Sequence, residues 1–183
     1  MPEYSGIYLV ENCVAERKRG KIMKFKNMFS PIQIGPMTVK NRFVVPPMGN
    51  NFANSDGTWS DQSVAYYSER AKGQFGLITI EATVVHKGAK GGPKKPCLYD
   101  DNSIESLKRI TDACHAEGAK ISIQLQNAGP EGNAKNAGAP IEAATAIASA
   151  DGKDIPEAVP TEKVYELVKG YGDAAVRAMK GGA

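Results

Sequence analysis

The chain has 183 residues, 42% hydrophobic and 23% charged, with a formal net charge of +3. That length fits one ordinary domain, the composition fits a globular fold, and the charge is too small to argue for nucleic acid or an anionic membrane surface as partner. No apolar run approaches the length of a membrane span, and Glu11 with Arg17-Lys18-Arg19 breaks any signal-peptide pattern near the start.

Residues 1–23 show no clean periodicity and predict a disordered extension; the alternative is an arm that packs on a partner. Met23 opens a segment that reads as a natural start, and residues 24–183 read as one domain. Phe29, Ile32, Ile34 and Val39, with turns at Pro31 and Gly35-Pro36, predict a short hairpin. Residues 43–48 predict a first buried strand, stopped by Pro46 and Pro47. Ser60 is placed to cap a helix running to about Lys72, with Gly73 ending it. Residues 77–82 form a second strand. Asn102 with Glu105 suggests a capping box for a helix carrying Ile104, Leu107 and Ile110. Gly118 stops that helix and a third strand, 120–126, follows. A Gly/Ala/Pro-rich loop is expected from about Asn127 to Pro160. Thr161 then caps a last helix, with Val164, Leu167, Val168, Tyr171 and Ala175 on one face.

Strand followed by helix, three times over, predicts an α/β fold with a parallel sheet and right-handed crossovers. No G-x-G-x-x-G follows the first strand, so a dinucleotide-binding fold would lack its phosphate loop. The better fit is the N-terminal part of an eight-stranded (β/α) TIM barrel, about three βα units. Its functional groups would stand at the C-terminal ends of the strands. The third strand is the most informative. Ile121, Ile123 and Leu125 alternate with Ser122, Gln124 and Gln126, so one face suits a helix layer and the other a ligand. Gln124 carries both donor and acceptor and can read a planar heterocycle. Cys13, Cys97 and Cys114 form no C-x-x-C pair, which argues against a metal or Fe–S site within this chain and fits free thiols in a reducing cytoplasm.

The strand ends, read together, resemble the Old Yellow Enzyme-like NADH:flavin oxidoreductases. The resemblance rests on Phe29-Ser-Pro-Ile-Gln-Ile-Gly35, Lys40-Asn-Arg-Phe43, Pro46-Pro-Met48, Asp56-Gly57, Tyr66-Tyr67, Arg70-Ala-Lys-Gly73, Gly76-Leu-Ile78, Glu81-Ala82, Gly118-Ala-Lys120 and Gln124-Leu125. Val45-Pro-Pro-Met-Gly-Asn-Asn-Phe-Ala-Asn54 and Gln126-Asn-Ala-Gly129 are most similar to the branch of 2,4-dienoyl-CoA reductases and bile-acid-inducible enoate reductases. The resemblance implies FMN, NAD(P)H as electron donor, and hydride transfer to an activated C=C bond of an enoate, enoyl thioester or enone. By position it implies that Pro46, Pro47, Met48 and Gly49 line the flavin, that Ala82 approaches its edge, and that Gln124 bonds the pyrimidine end of the ring. It also implies that the substrate-holding histidines, the phosphate loops and, in long members, a 4Fe–4S segment and an FAD or nicotinamide domain lie beyond residue 183.

Two departures stand out. Many relatives have a cysteine where this chain has Gly49, and a His and an Arg where it has Asn127 and Pro130. Glu81 reads as an anchor behind the site or, less simply, a general base. His86 reads as a substrate contact or a solvated loop residue, and His115 as a surface residue. Lys87, Lys90, Lys94 and Lys95 read as a solvated basic loop, or as a phosphate contact for a CoA thioester or nicotinamide cofactor. The rival to an oxidoreductase is a non-catalytic half-barrel that associates with itself or with a complementary chain through open edges. A Schiff-base aldolase on the same barrel is disfavoured, because none of the three strand ends carries a lysine.

Overall fold

A computed structural model describes residues 25–150 and 154–183; the expected extension over residues 1–23 lies outside the described residues. Helix α1 (Lys26–Phe29) leads into the antiparallel hairpin of β1 (Ile32–Ile34) and β2 (Met37–Val39), as the turn residues predict. Strand β3 (Val44–Val45) is shorter than expected. Pro46 and Pro47 carry no N–H to continue the ladder, so pairing stops where they begin. Helix α2 (Asp61–Lys72), strand β4 (Leu77–Val84), helix α3 (Ile104–Ala116) and strand β5 (Lys120–Gln126) follow. The three strands form a parallel sheet in the order β3-β4-β5, with Val45 beside Ile78 and Ile78 beside Ile121.

Local chemistry sets the helix limits. The Ser60 hydroxyl accepts the Ser63 N–H at 3.3 Å, as expected of the cap of α2. The expected Asn102 box is not what starts α3. Asp100 accepts the Asn102 N–H at 3.0 Å and opens a 3-10 turn, Asp101–Ser103, that runs into the helix. Gly118, at φ +72, then takes the left-handed turn that releases the chain into β5. Residues 127–160 are more structured than a loop. They hold a 3-10 turn (Gly129–Glu131), helix α4 (Ala134–Ala137), and a parallel ladder of β6 (Glu142–Ala143) with β7 (Glu157–Ala158). Helix α5 (Thr161–Lys180) begins at Thr161, but no side chain caps it.

The core lies between the sheet and its helices. It joins Ile78 and Ile80 of β4, Ile121 of β5, Tyr67 and Ala71 of α2, Leu107, Ile110 and Cys114 of α3, and Ala174 and Ala178 of α5. Burial of each large aliphatic side chain there contributes about 1.5–3 kcal/mol. The apolar stripe expected on α5 is not the one buried: Val164, Val168 and Tyr171 are exposed, while Ala174 and Ala178 are covered. Small residues let this helix approach α3 closely, and the Thr111 hydroxyl bonds the Gly181 carbonyl at 2.6 Å.

At the N-terminal end of the sheet, Lys40 and Asn41 lock the layers together. The Asn41 amide donates to the Gln74 carbonyl at 2.7 Å and accepts the Phe43 N–H at 3.1 Å. The Lys40 ammonium donates to the Glu117 carbonyl at 2.7 Å, at the C-terminal end of α3, where the helix dipole favours a cation. The Lys40-Asn-Arg-Phe43 run is therefore a structural clasp, at the end of the sheet opposite the strand C-termini.

Candidate functional site

The site is built around an irregularity in β4. Ile80 pairs with Ile123 and Thr83 pairs with Leu125, so Glu81 and Ala82 of β4 together face the single residue Gln124 of β5. This is a β-bulge, which bends a strand and re-aims side chains. It brings two of the expected flavin contacts, Ala82 and Gln124, opposite each other. Ile121, Ile123 and Leu125 pack toward the helices. On the other face the Thr79 and Ser122 hydroxyls share a hydrogen bond at 2.9 Å, and the Gln124 side chain is exposed.

The bulge frees the Glu81 N–H from the ladder, and the Tyr67 hydroxyl of α2 accepts it at 3.0 Å. The Glu81 side chain, 0% exposed, is the hub of the site. Its Oε2 accepts the Asn50 N–H at 3.1 Å, which ties segment 46–50 to the end of β4. The same oxygen lies 3.7 Å from the Lys95 ammonium. Glu81 Oε1 and the Asn50 side-chain nitrogen are buried with no hydrogen-bond partner. Burial holds the Glu81 carboxyl above the ordinary carboxylate range, and the Asn50 N–H and Lys95 partly offset that. Glu81 is thus an anchor that holds two strand ends together; its burial does not suit a base that must meet substrate.

Segment 46–49 continues β3 outside the ladder. Met48 is 57% exposed, and Pro46 and Gly49 are exposed as well. The six expected contacts therefore fall into two groups, Pro46, Pro47, Met48 and Gly49 on one strand end and Ala82 with Gln124 on the next two, linked through Glu81. They form an open wall. Clefts of about 500 Å³ and about 410 Å³ lie elsewhere, and neither is lined by any of the six.

The other singled-out residues sort differently. Asn127 turns the chain: its carbonyl oxygen accepts the Gly129 N–H at 2.8 Å. His86 is half-buried with Nδ1 3.7 Å from Glu142 Oε2, and Lys163 pairs with the other oxygen of Glu142. That cluster was not legible, since Glu142 lies in what read as loop. His115 is exposed as expected, and Cys114 is buried in the core. The four lysines do not act as one loop. Lys87 and Lys94 are exposed, whereas Lys90 is 5% exposed and donates to the Ser55 carbonyl at 2.9 Å, and Lys95 reaches Glu81.

The fold and the site together define an α/β protein carrying three βα units of a parallel barrel, with a polar wall at the C-terminal strand ends. The chain belongs to the NADH:flavin oxidoreductase / NADH oxidase family, whose profile matches residues 27–183. It is 32% identical over 160 residues to a probable NADH-dependent flavin oxidoreductase of Bacillus subtilis, covering 87% of this chain and 43% of that protein. It is 34% identical over 158 residues to an NADPH dehydrogenase of the same organism, covering 86% of this chain and 46% of the other. Among solved structures, an old yellow enzyme homologue from Zymomonas mobilis superposes with a TM-score of 0.77 at 30% identity, over 85% of this chain and 46% of that one. A 2-naphthoyl-CoA reductase, solved with 2-naphthoyl-CoA, gives a TM-score of 0.81 at 27% identity, over 86% of this chain and 26% of the other. The chain spans less than half the length of these relatives, and the barrel resemblance is to their N-terminal part.

Proposed function

We propose that this chain supplies one wall of the FMN site of an NAD(P)H-dependent oxidoreductase acting on an activated C=C bond. The observation that carries this reading is the pairing of a small residue, Ala82, with an exposed amide, Gln124, across the β4/β5 bulge. The residues fit the ring end of a flavin. A Cβ without further branches leaves room for a flat ring edge, and a carboxamide supplies a donor and an acceptor for its pyrimidine end. Segment 46–49, fixed through Asn50 and Glu81, closes the wall from the neighbouring strand end. No phosphate-binding group is assigned within this wall. Bound FMN would supply hydride chemistry; the protein residues bind and orient the ring and, through a fixed amide dipole, favour its electron-rich form. The alkene substrate class, enoate, enoyl thioester or enone, belongs to the same reading and rests on the motifs at 45–54 and 126–129.

One wall gives few contacts, so the 183-residue chain is expected to bind FMN weakly and to lack NAD(P)H-driven turnover. Titration of the chain with FMN, followed by flavin fluorescence, tests this. Binding should be lost in Ala82→Leu, which fills the wall, and weakened by Gln124→Leu. A tight, stoichiometric yellow complex that NADH bleaches overturns the one-wall reading. Flavin binding indifferent to both substitutions overturns the residue assignment.

A further inference from the structure

Lys95 is the one residue of the basic loop whose ammonium reaches the strand ends, and the loop is built to put it there. The Val84 N–H bonds the Pro96 carbonyl at 2.8 Å and the Leu98 N–H bonds the Val84 carbonyl at 2.8 Å, so the backbone on the C-terminal side of Lys95 is pinned to the end of β4. Two glycines flank its side chain. A Cβ added at Gly92 would make only an ordinary contact with Lys95 Cγ, at 3.5 Å, whereas one added at Gly49 would lie 2.7 Å from Lys95 Nζ and 3.8 Å from Glu81 Oε2. A separation of 2.7 Å is closer than two such atoms sit in proteins, so a side chain at position 49 and the ammonium of Lys95 compete for one space. The Gly49 backbone does not adopt a left-handed conformation, so alanine there would meet an obstacle only in Lys95. The Lys95 side chain is 23% exposed and its ammonium faces a fully buried carboxylate, which makes it a held charge at the rim of the wall.

We infer that Lys95, seated on Glu81 and given room by Gly49, is the fixed positive charge of the proposed flavin wall and sets how much more tightly that wall holds electron-rich than oxidised flavin. This rests on the flavin reading above. A two-electron-reduced flavin carries more negative charge on its ring, so a cation held at the rim favours it, and a neutral residue of the same length does not. The glycine at 49 is then part of the device: it leaves open the space that the ammonium fills.

The test compares dissociation constants of oxidised and reduced FMN for the full 183-residue chain, measured anaerobically. Lys95→Met should weaken reduced FMN by roughly tenfold relative to oxidised FMN, the size expected of one charge several ångströms away at an intermediate dielectric. Lys95→Arg should keep most of the preference. Gly49→Ala should shift the preference in the same direction as Lys95→Met but by less, with the protein folded, because the ammonium is displaced and not removed; a preference that is unchanged, or that moves the other way, overturns the role given to Gly49. A readout without flavin accompanies these: the Glu81 carboxyl, followed by carbon NMR, should titrate higher in Lys95→Met and in Gly49→Ala. A bound flavin whose redox preference is unchanged by Lys95→Met overturns the assignment of Lys95 alone. Failure of the unaltered chain to bind either form overturns the flavin reading, and this assignment with it. An unmoved Glu81 titration overturns the seat itself.

Discussion

Glu81 shows how a single buried carboxylate can organise two strand ends and leave a pH signature. Burial raises its folded pKa above the ordinary 4.5, with the Asn50 N–H and Lys95 opposing. In the unfolded chain the carboxyl loses its proton at the ordinary value; in the folded chain it keeps it to higher pH. Between those two values the folded state binds more protons, so this group makes stability fall as pH rises from the ordinary carboxylate value through the raised one, and adds no further slope above it. Glu81→Gln removes that component. Urea unfolding from mildly acid to neutral pH should therefore show a shallower decline for Glu81→Gln than for the unaltered chain. Parallel profiles would mean that Glu81 ionises as freely in the folded chain as in the unfolded one.

At the scale of elements, the bulge in β4 ties packing to the site. One extra residue in β4 leaves the Glu81 N–H without a strand partner, and the Tyr67 hydroxyl takes it from helix α2. Tyr67→Phe keeps the ring in the core but leaves a buried donor unsatisfied, which should cost about 1–3 kcal/mol. Denaturant unfolding should register that loss with the far-ultraviolet dichroism unchanged; an unaltered midpoint would show that the hydroxyl bond adds nothing. Much of this level was legible in the sequence. Alternation at 121–126 identified the strand and the face it turns to the helices, and Ser60 and Gly118 marked helix ends through cap and turn chemistry that acts over a few residues. The bulge was not legible, because an inserted residue changes neither composition nor the apolar run at 77–84. Nor was Lys95 separable from Lys87 and Lys94: equal charges in one glycine-rich stretch differ only in what the fold brings near them. Asn102 and Glu105 have the spacing of a capping box, but Asp100 opens a 3-10 turn ahead of α3, and a turn that runs into a helix leaves no mark on that spacing.

For the molecule as a whole, the decisive fact is that the parallel sheet of the described residues has three strands and is open. Among the described residues β3 and β5 each have one sheet neighbour, and Val44 of β3 is 49% exposed. Helix α5 adds Val164, Tyr165, Val168, Val176 and Met179 to the exposed apolar surface, since its buried contacts are made by alanines. Alternation and periodicity named these apolar residues but could not say which stripe of α5 would be covered, because that depends on how closely α3 lets the helix approach. Unpaired strand edges template further pairing, and apolar patches of this kind mark association surfaces. We propose that the 183-residue chain associates, with itself or with a chain carrying complementary βα units. Sedimentation velocity over a range of concentrations should show species larger than the 19.5 kDa monomer. Val168→Glu with Tyr165→Lys, both exposed and outside the core, should shift the distribution toward monomer if α5 is the contact, whereas Val44→Lys should do so if the β3 edge is. A compact, folded monomer at every concentration would show that the open sheet and the α5 stripe are tolerated in water, and would remove association from the functional reading.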